Sequence, residues 1–243
     1  MSKLSDNTGQ YLLLGLKYAD ILKNPIEKLG IQPVFIPDNP YIDDRLSGHV
    51  DLSVFYPGGK DIFLAPFLKD SKTADIIRKI GLNPVYANIK QGKKYPFDAQ
   101  MNACAWENYL IYSENVTAGE IIEYFKNKKG RLISCRQGYL NCSVCKVDNN
   151  SIITADRGVY DSCTAAGLDV LLINPGYIEL PGYDYGFLGG SSFKISDNKI
   201  AFTGSLKNHP DEKKILEFLK SKNQEAVFLT DEAIFDIGGA ILI

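Results

Sequence analysis

The sequence predicts an α/β ring, a five-bladed ββαβ α/β-propeller with pseudo-fivefold symmetry, closed by its own C-terminal strand. Three observations predict it. A unit of two short strands, a helix and a third strand recurs along the 243 residues, and self-similarity at such a period is the signature of a repeat architecture. The last segment, Asp236-Ile237-Gly238-Gly239-Ala240-Ile241-Leu242-Ile243, reads as a first strand with nothing after it, and the opening segment, Gln10 to Leu16, as a second strand with no first strand before it. Pairing these two orphans closes the ring.

Third strands repeat most clearly. Gly30-Ile31-Gln32-Pro33-Val34-Phe35-Ile36 matches Gly81-Leu82-Asn83-Pro84-Val85-Tyr86-Ala87, and Gly130-Arg131-Leu132-Ile133-Ser134 and Gly167-Leu168-Asp169-Val170-Leu171-Leu172-Ile173 follow the same plan. The glycine sits where a helix ends in a left-handed residue before the chain turns into a strand. The fifth copy, Glu225-Ala226-Val227-Phe228-Leu229, keeps the strand without it. Thr117-Ala118-Gly119-Glu120 fits a capping box, and Asn24-Pro25 and His209-Pro210 place proline at a first helical position. Ile121, Ile122 and Phe125, like Ile215, Phe218 and Leu219, recur at helical spacing and are expected to face a sheet. First strands stack as Asp51–Phe55, Asn102–Trp106, Asn141–Cys145, Gly190–Phe193 and Gly238–Leu242, unequally spaced because insertions fall in loops. Turns such as Pro57-Gly58-Gly59 and Asp148-Asn149-Asn150 lead to second strands such as Ile62-Phe63-Leu64 and Ile152-Ile153-Thr154. The expected organisation is a single domain over 1–243, with repeats at about 10–46, 47–96, 97–138, 139–185 and 186–236 and the closing strand at 237–243. A doubly wound sheet is the competing α/β architecture. Two adjacent strands precede each helix here, however, and no G-x-G-x-x-G opens a helix to hold phosphates.

Composition narrows the function classes. With 45% hydrophobic residues and a formal net charge of −2, the chain has material for a core and no basic patch for nucleic acid. No apolar run is long enough to span a bilayer, and no basic-then-apolar leader follows Met1, so the expectation is a soluble cytoplasmic protein without a membrane partner. The five cysteines, Cys104, Cys135, Cys142, Cys145 and Cys163, are odd in number and read as reduced thiols. Cys142-x-x-Cys145 lacks a second pair, and residues three apart on a strand face opposite ways, so no zinc site is expected there.

First-strand residues of such a ring reach its central channel. His49 and Asp51, two apart, share a face of their strand; Gln100 and Asn102 fall in the same columns of the next blade, and Asn141 follows. A column of His, Asp, Gln, Asn and Asn is unlike core filler, because each buried polar group needs a hydrogen-bond partner or a ligand.

Five ββαβ blades around one axis resemble the pentein architecture of the guanidino-group-modifying enzymes: arginine and agmatine deiminases, dimethylarginine dimethylaminohydrolases and amidinotransferases. The ribosome anti-association factor shares that fold without catalysis. Locally, Gly48-His49-Val50-Asp51 resembles the G-H-V-D stretch of agmatine deiminases and the H-x-D stretch of arginine deiminases. The resemblance implies that His49 is the acid/base partner of a catalytic thiolate and that Asp51 grips a guanidinium. The family's nucleophilic cysteine lies in the closing strand, whereas Ile237-Gly238-Gly239-Ala240-Ile241 has none. Two blades on from His49 around the ring, Cys142-Ser143-Val144 resembles the nucleophile strand of the dimethylarginine enzymes, and Asp236-Ile237-Gly238-Gly239 resembles the family's substrate-binding E-G-G. A circularly permuted site follows, with Cys142 as the thiolate, its pKa lowered by a nearby cation, and Asp236 as a second guanidinium holder. On a regular strand, though, Asn141 rather than Cys142 shares the column of Asp51.

Arg136, after the third strand of blade three, is a candidate to bind a substrate carboxylate, and the long connection Pro175 to Gly186, with Tyr177, Glu179, Tyr183, Asp184 and Tyr185, is a candidate recognition loop. The expectation is a thiolate-dependent hydrolase or transferase for a small guanidino or amidino compound, with neither metal nor organic cofactor. The alternative is a non-catalytic pentein that binds a small molecule or a protein partner. The residues leave the oligomeric state open.

Overall fold

The computed structural model describes residues 10–106 and 108–243, so the expectation of no leader at Met1 lies outside the described residues. Blade one contains β1 (Tyr11–Gly15), α1 (Ala19–Lys28) and β2 (Gln32–Ile36); blade two β3 (Val54–Phe55), β4 (Asp61–Leu64), α2 (Lys72–Lys79) and β5 (Asn83–Tyr86). Blade three has β6 (Cys104–Trp106), β7 (Tyr109–Tyr112), α3 (Gly119–Asn127) and β8 (Arg131–Ser134). Blade four has α4 (Leu140–Ser143), β9 (Cys145–Lys146), β10 (Ser151–Thr154), α5 (Arg157–Ala165) and β11 (Asp169–Leu172). Blade five has β12 (Ser192–Ser196), β13 (Lys199–Phe202), α6 (Glu212–Ser221) and β14 (Glu225–Phe228), and β15 (Ile241–Leu242) ends the chain.

Each blade is a separate three-stranded sheet. Its first two strands are antiparallel, and the third runs parallel to the second after the helical crossover. The orphans pair as expected: β15 lies antiparallel to β1, with Ile241 opposite Leu13 and Leu242 opposite Leu12. Reciprocal Tyr11–Ile243 backbone bonds of 3.0 and 2.8 Å extend the ladder. Pro33 and Pro84 lie on the outer strands β2 and β5, where a missing N–H removes no ladder bond.

The blades are joined by cores that run between them. Alternation along β1 sends Leu13 into the core with Ile62, Leu64 and Ile77 of blade two, and Leu12 and Leu14 into the core with Phe193, Ile195 and Ala201 of blade five. In every case the buried stripe of one blade's helix meets the sheet of the blade before it: Ile121 and Phe125 on Phe55 and Phe63, Val159 and Cys163 on Cys104 and Ile111, Ile215 and Leu219 on Cys145 and Ile153. Leu22 and Ile26 of α1 pack against blade five, which completes the cycle. Ile122 and Phe218 are only partly buried, at the edges of these stripes.

Several local expectations are corrected. Gly30, Gly81 and Gly167 adopt positive φ, but Lys129 (φ 55°) does so in blade three instead of Gly130, and Asn223 (φ 56°) serves blade five. The capping box does not form: Thr117 Oγ1 accepts from the Ser113 amide at 3.0 Å, and Glu120 reaches across to the Asn88 amide at 3.0 Å. Pro25 lies inside α1, because the helix already starts at Ala19; the carbonyl it leaves unpartnered in the ladder belongs to the half-exposed Ile21. Pro210 precedes α6, whose cap is Asp211. The first strands are shorter than expected because their leading residues form helical turns at Val50–Leu52 and Leu140–Ser143. Among the described residues no helix is long and apolar enough to cross a membrane.

Candidate active site

The turns at the inner ends of blades two and four replace the strand columns read from the sequence. His49 is extended (φ −75°, ψ 111°) and Asp51 follows inside a 3-10 turn, so the two converge without sharing the face of a strand. Cys142 lies on the single turn α4, where successive side chains are about 100° apart. Asn141 and Cys142 can therefore both reach Asp51, which removes the register obstacle of a pleated strand. Asn102 sets that turn from the neighbouring blade. Its carbonyl accepts from the Leu140 amide (3.0 Å), its Oδ1 from the amides of Asn141 (2.8 Å) and Cys142 (3.3 Å), and its Nδ2 donates to Cys142 Sγ (3.3 Å).

At the centre, the Cys142 thiol donates to Asp51 Oδ2 at 3.0 Å, and Asn141 Nδ2 donates to the same oxygen at 3.0 Å. A His49 ring nitrogen, an Asp51 oxygen and Cys142 Sγ all lie within 4.8 Å of one another, all buried. Asp236 completes the group: its Oδ1 accepts from the Gly238 amide (2.8 Å), its Oδ2 from the Phe187 amide (2.9 Å), and Oδ1 stands 3.9 Å from His49 Nδ1. Two glycines make room for this. A Cβ on Gly190 would lie 2.0 Å from Asp236 Oδ1, and one on Gly238, whose φ is +72°, would lie 2.4 Å from the His49 Cβ. His49 Nε2 and Asp51 Oδ1 are buried without hydrogen-bond partners among the described residues. Buried polar atoms without partners call for an explanation, and the residues carrying these two meet at the centre of the site.

Electrostatics corrects one expectation. Among the described residues no cation lowers the thiol: burial, followed by the charges of Asp51 and Asp236, pushes the Cys142 pKa well above the ordinary value. Burial likewise pushes Asp51 up to about 6, against the opposing pull of His49, Asn141 and Cys142. The resting centre is a neutral thiol held between carboxylates. His, Asp and Cys are also the donor types that zinc takes, so His49, Asp51 and Cys142 are the set that could hold such an ion.

Cys142, His49 and Asp236 line a cavity of about 290 Å³ whose walls include Leu46, Leu52, Leu180, Tyr139, Tyr183, Asp184 and Tyr185. Asp51 and Asn141 line a larger one of about 810 Å³, bordered by the first strands. The Cys142–Asp51 hydrogen bond therefore bridges the wall between the two. Two sequence candidates stay apart. Arg136 is exposed and borders a separate cavity of about 590 Å³ beside Cys135. Gln100 lines neither cavity of the channel; its carbonyl takes the Ala118 amide at 2.9 Å. Gln100 was placed by strand alternation, which fails where the chain turns, and Arg136 by its position just after a third strand. Asn102 is fully buried and braces α4.

Two aromatic neighbours of the site, Tyr18 and Tyr139, were not singled out from the sequence. Tyr18, in the turn after β1, has its ring centroid 6.4 Å from that of His49, and burial, with Asp236 and Asp51 next, raises its pKa. The Tyr139 hydroxyl donates to Asp98 Oδ2 at 2.7 Å. Tyr139 lies two residues before Asn141, so a helical reading of that segment would have placed it at the site.

A family model described as "Family of unknown function (DUF6873)" matches residues 15–241. No curated protein matches the sequence. Among solved structures, the chain is similar to the DDAH of Pseudomonas aeruginosa, a Cys-to-Ser mutant complexed with citrulline, at a TM-score of 0.58 and 9% identity over 96% of this chain and 98% of that one. It is also similar to the inosamine-phosphate amidinotransferase of Streptomyces griseus (TM-score 0.55, 11% identity, 88% of this chain and 74% of that one). A third likeness is to the agmatine deiminase of C. jejuni (TM-score 0.51, 8% identity, 90% and 87%). At these identities the likeness is one of fold, and the fold is that of the pentein superfamily.

Proposed function

The chain belongs to DUF6873, a family of unknown function, and we propose that it is a thiol-dependent enzyme acting on the amidine carbon of a small guanidino or amidino compound, as a hydrolase or an amidinotransferase working without a metal. One observation carries the reading: Cys142 Sγ, an Asp51 oxygen and a His49 nitrogen lie within 4.8 Å of one another, all buried, and Cys142 and His49 line one cavity with Asp236 while Asp51 lines the neighbouring one. Nucleophile, base and cation holder within reach of each other are what such chemistry needs. The pentein neighbours, whose names are those of guanidino-modifying enzymes, add support at the level of fold.

In this reading Asp51 Oδ1, which lacks a partner, and Asp236 accept the N–H groups of a planar amidinium. The incoming positive charge offsets the two carboxylates that keep the thiol neutral, so the substrate itself lowers the barrier to forming the thiolate. The thiol proton passes to His49. The thiolate attacks the amidine carbon, and His49 returns the proton to the departing amine, leaving an amidino-thioether on Cys142. In a hydrolase, His49 then takes a proton from water, the hydroxide adds to the same carbon, and the carbon–sulfur bond breaks to give a urea or amide and the thiol. In a transferase an amine replaces the water.

The test is amine release and urea-type product formation across a panel of guanidines and amidines, with Cys142→Ala as the control. Turnover that disappears in Cys142→Ala and persists after chelator treatment supports the reading. Chelator-sensitive turnover would move the site to metal chemistry. No turnover across the panel, with binding retained, would favour a non-catalytic pentein whose buried thiol is an inert small hydrophobe.

A further inference from the structure

We propose that the loop 175–186 selects substrates by the charge of the tail. It admits amidines and guanidines whose far end is neutral or cationic and rejects those that carry a carboxylate there. The proposal rests on the reading of the Cys142 site given above, and it concerns the opposite end of the ligand.

The cavity over Cys142 is lined by two carboxylates, Asp184 and Asp236, and by no lysine or arginine among the described residues. One guanidinium, that of Arg45, borders the loop, 4.5 Å over the Tyr183 ring, but its charge is paired with Asp43. Arg45 Nε and Nη2 hold Asp43 at 2.8 and 2.9 Å, and Nη1 donates to the Gly182 carbonyl at 2.9 Å. This clamp ties the loop to the segment before His49. Inside the loop, the Tyr183 amide donates to the Leu180 carbonyl (3.0 Å) and the Gly186 amide to that of Ile178 (2.8 Å), so the rim is built before a ligand arrives.

The rim's chemistry suits a cation. Tyr183 and Tyr185 are 40% and 43% exposed, well above the buried aromatics of the core, and they flank Asp184 in sequence. Arg45 covers one face of the Tyr183 ring, and the aromatic surface left beside the Asp184 carboxylate attracts ammonium and other soft cations. Between rim and thiol, Leu46, Leu52 and Leu180 form an apolar stretch that fits an alkyl or aryl spacer. A carboxylate tail would leave water to meet Asp184 and no counter-ion, the arrangement by which a site discriminates against a wrong ligand. The Pro175–Gly186 stretch thus has a definite task, and Asp184 is its specificity-determining residue.

The test uses matched compounds that differ only in the tail: an alkylguanidine ending in an amine, one ending in a methyl group, and one ending in an α-amino acid. We expect kcat/KM for the two carboxylate-free compounds to exceed that for the amino acid by about tenfold or more, chiefly through KM, and Asp184→Lys to narrow or invert the ratio. A preference for the amino acid, or a ratio that Asp184→Lys leaves unchanged, would overturn the proposal. Calorimetric binding of the same three compounds to Cys142→Ala needs no turnover. If the parent turns nothing over but the variant binds the carboxylate-free compounds more tightly, the catalytic reading fails and this inference stands. Equal affinities, or binding of none, would overturn it.

Discussion

Asp51→Asn removes one negative charge 3.0 Å from Cys142 Sγ while keeping an oxygen that can still accept the thiol hydrogen. Two unit charges at that separation interact by about 6 kcal/mol at an effective dielectric constant of roughly 20, the equivalent of about 4 pH units in an ionisation. Asp236 stays and burial persists, so the Cys142 pKa is expected to fall without dropping into the range of a free thiolate at an exposed site. The assay is the rate of iodoacetamide alkylation of the Cys142 peptide, followed by mass spectrometry from about pH 5 to 11, since only the thiolate reacts at a useful rate. Cys145, pushed up to about 11 by burial with no part played by Asp51, is the internal reference and should not move. A Cys142 inflection that stays put or rises in Asp51→Asn would refute the reasoning, because it would mean that burial alone holds the thiol neutral.

The same variant bears on stability. Asp51 is near 6 in the folded chain against an ordinary 3.8, so its contribution is complete below 3.8 and is lost as pH rises through about 6, a difference of about 3 kcal/mol. Urea denaturation should find Asp51→Asn more stable than the parent at pH 8 by up to about 3 kcal/mol and nearly equal to it near pH 3.5; a less stable variant at pH 8 would contradict this. Gly238→Ala should cost at least about 1–3 kcal/mol from its positive φ and displace His49, whose Cβ would lie 2.4 Å from the new methyl group. The loss should register both in denaturation and in any Cys142-dependent activity. Ile26→Ala should cost about 2–5 kcal/mol, because this fully buried side chain joins blade one to blade five; a cost near zero would argue against a closed cycle of inter-blade cores.

Strand and helix alternation, the orphan segments at the two ends and the third-strand repeat were legible because they rest on local periodicity and on where glycine can turn. The pairing of Ile241 with Leu13 followed from topology. The candidate centre was legible for a less direct reason. His49, Asp51 and Cys142 were selected by residue type and by likeness to a family, and strand alternation then argued against Cys142. The turns at Val50–Leu52 and Leu140–Ser143 overrode that alternation, the second held by bonds from Asn102 that no pattern along the chain reveals. Gln100 was carried in by the same alternation and Arg136 by its position after a third strand, and both sit elsewhere. The capping box at Thr117 lost to a turn bond at Ser113 and to a contact between blades at Asn88, both products of packing. Tyr139, Tyr183 and Asp98 gain their meaning only from neighbours far along the chain.

In the mechanism proposed for Cys142, a neutral thiol between two carboxylates becomes a nucleophile when an amidinium arrives. 2-Chloroacetamidine and 2-chloroacetamide present the same reactive carbon and differ in charge. At neutral pH the account predicts that the cationic reagent alkylates Cys142 at least about tenfold faster than the neutral one, an advantage of roughly 1.4 kcal/mol, and that Asp51→Asn combined with Asp236→Asn removes the difference. Equal rates for the two reagents in the parent, or a cationic adduct on a cysteine other than Cys142, would contradict it.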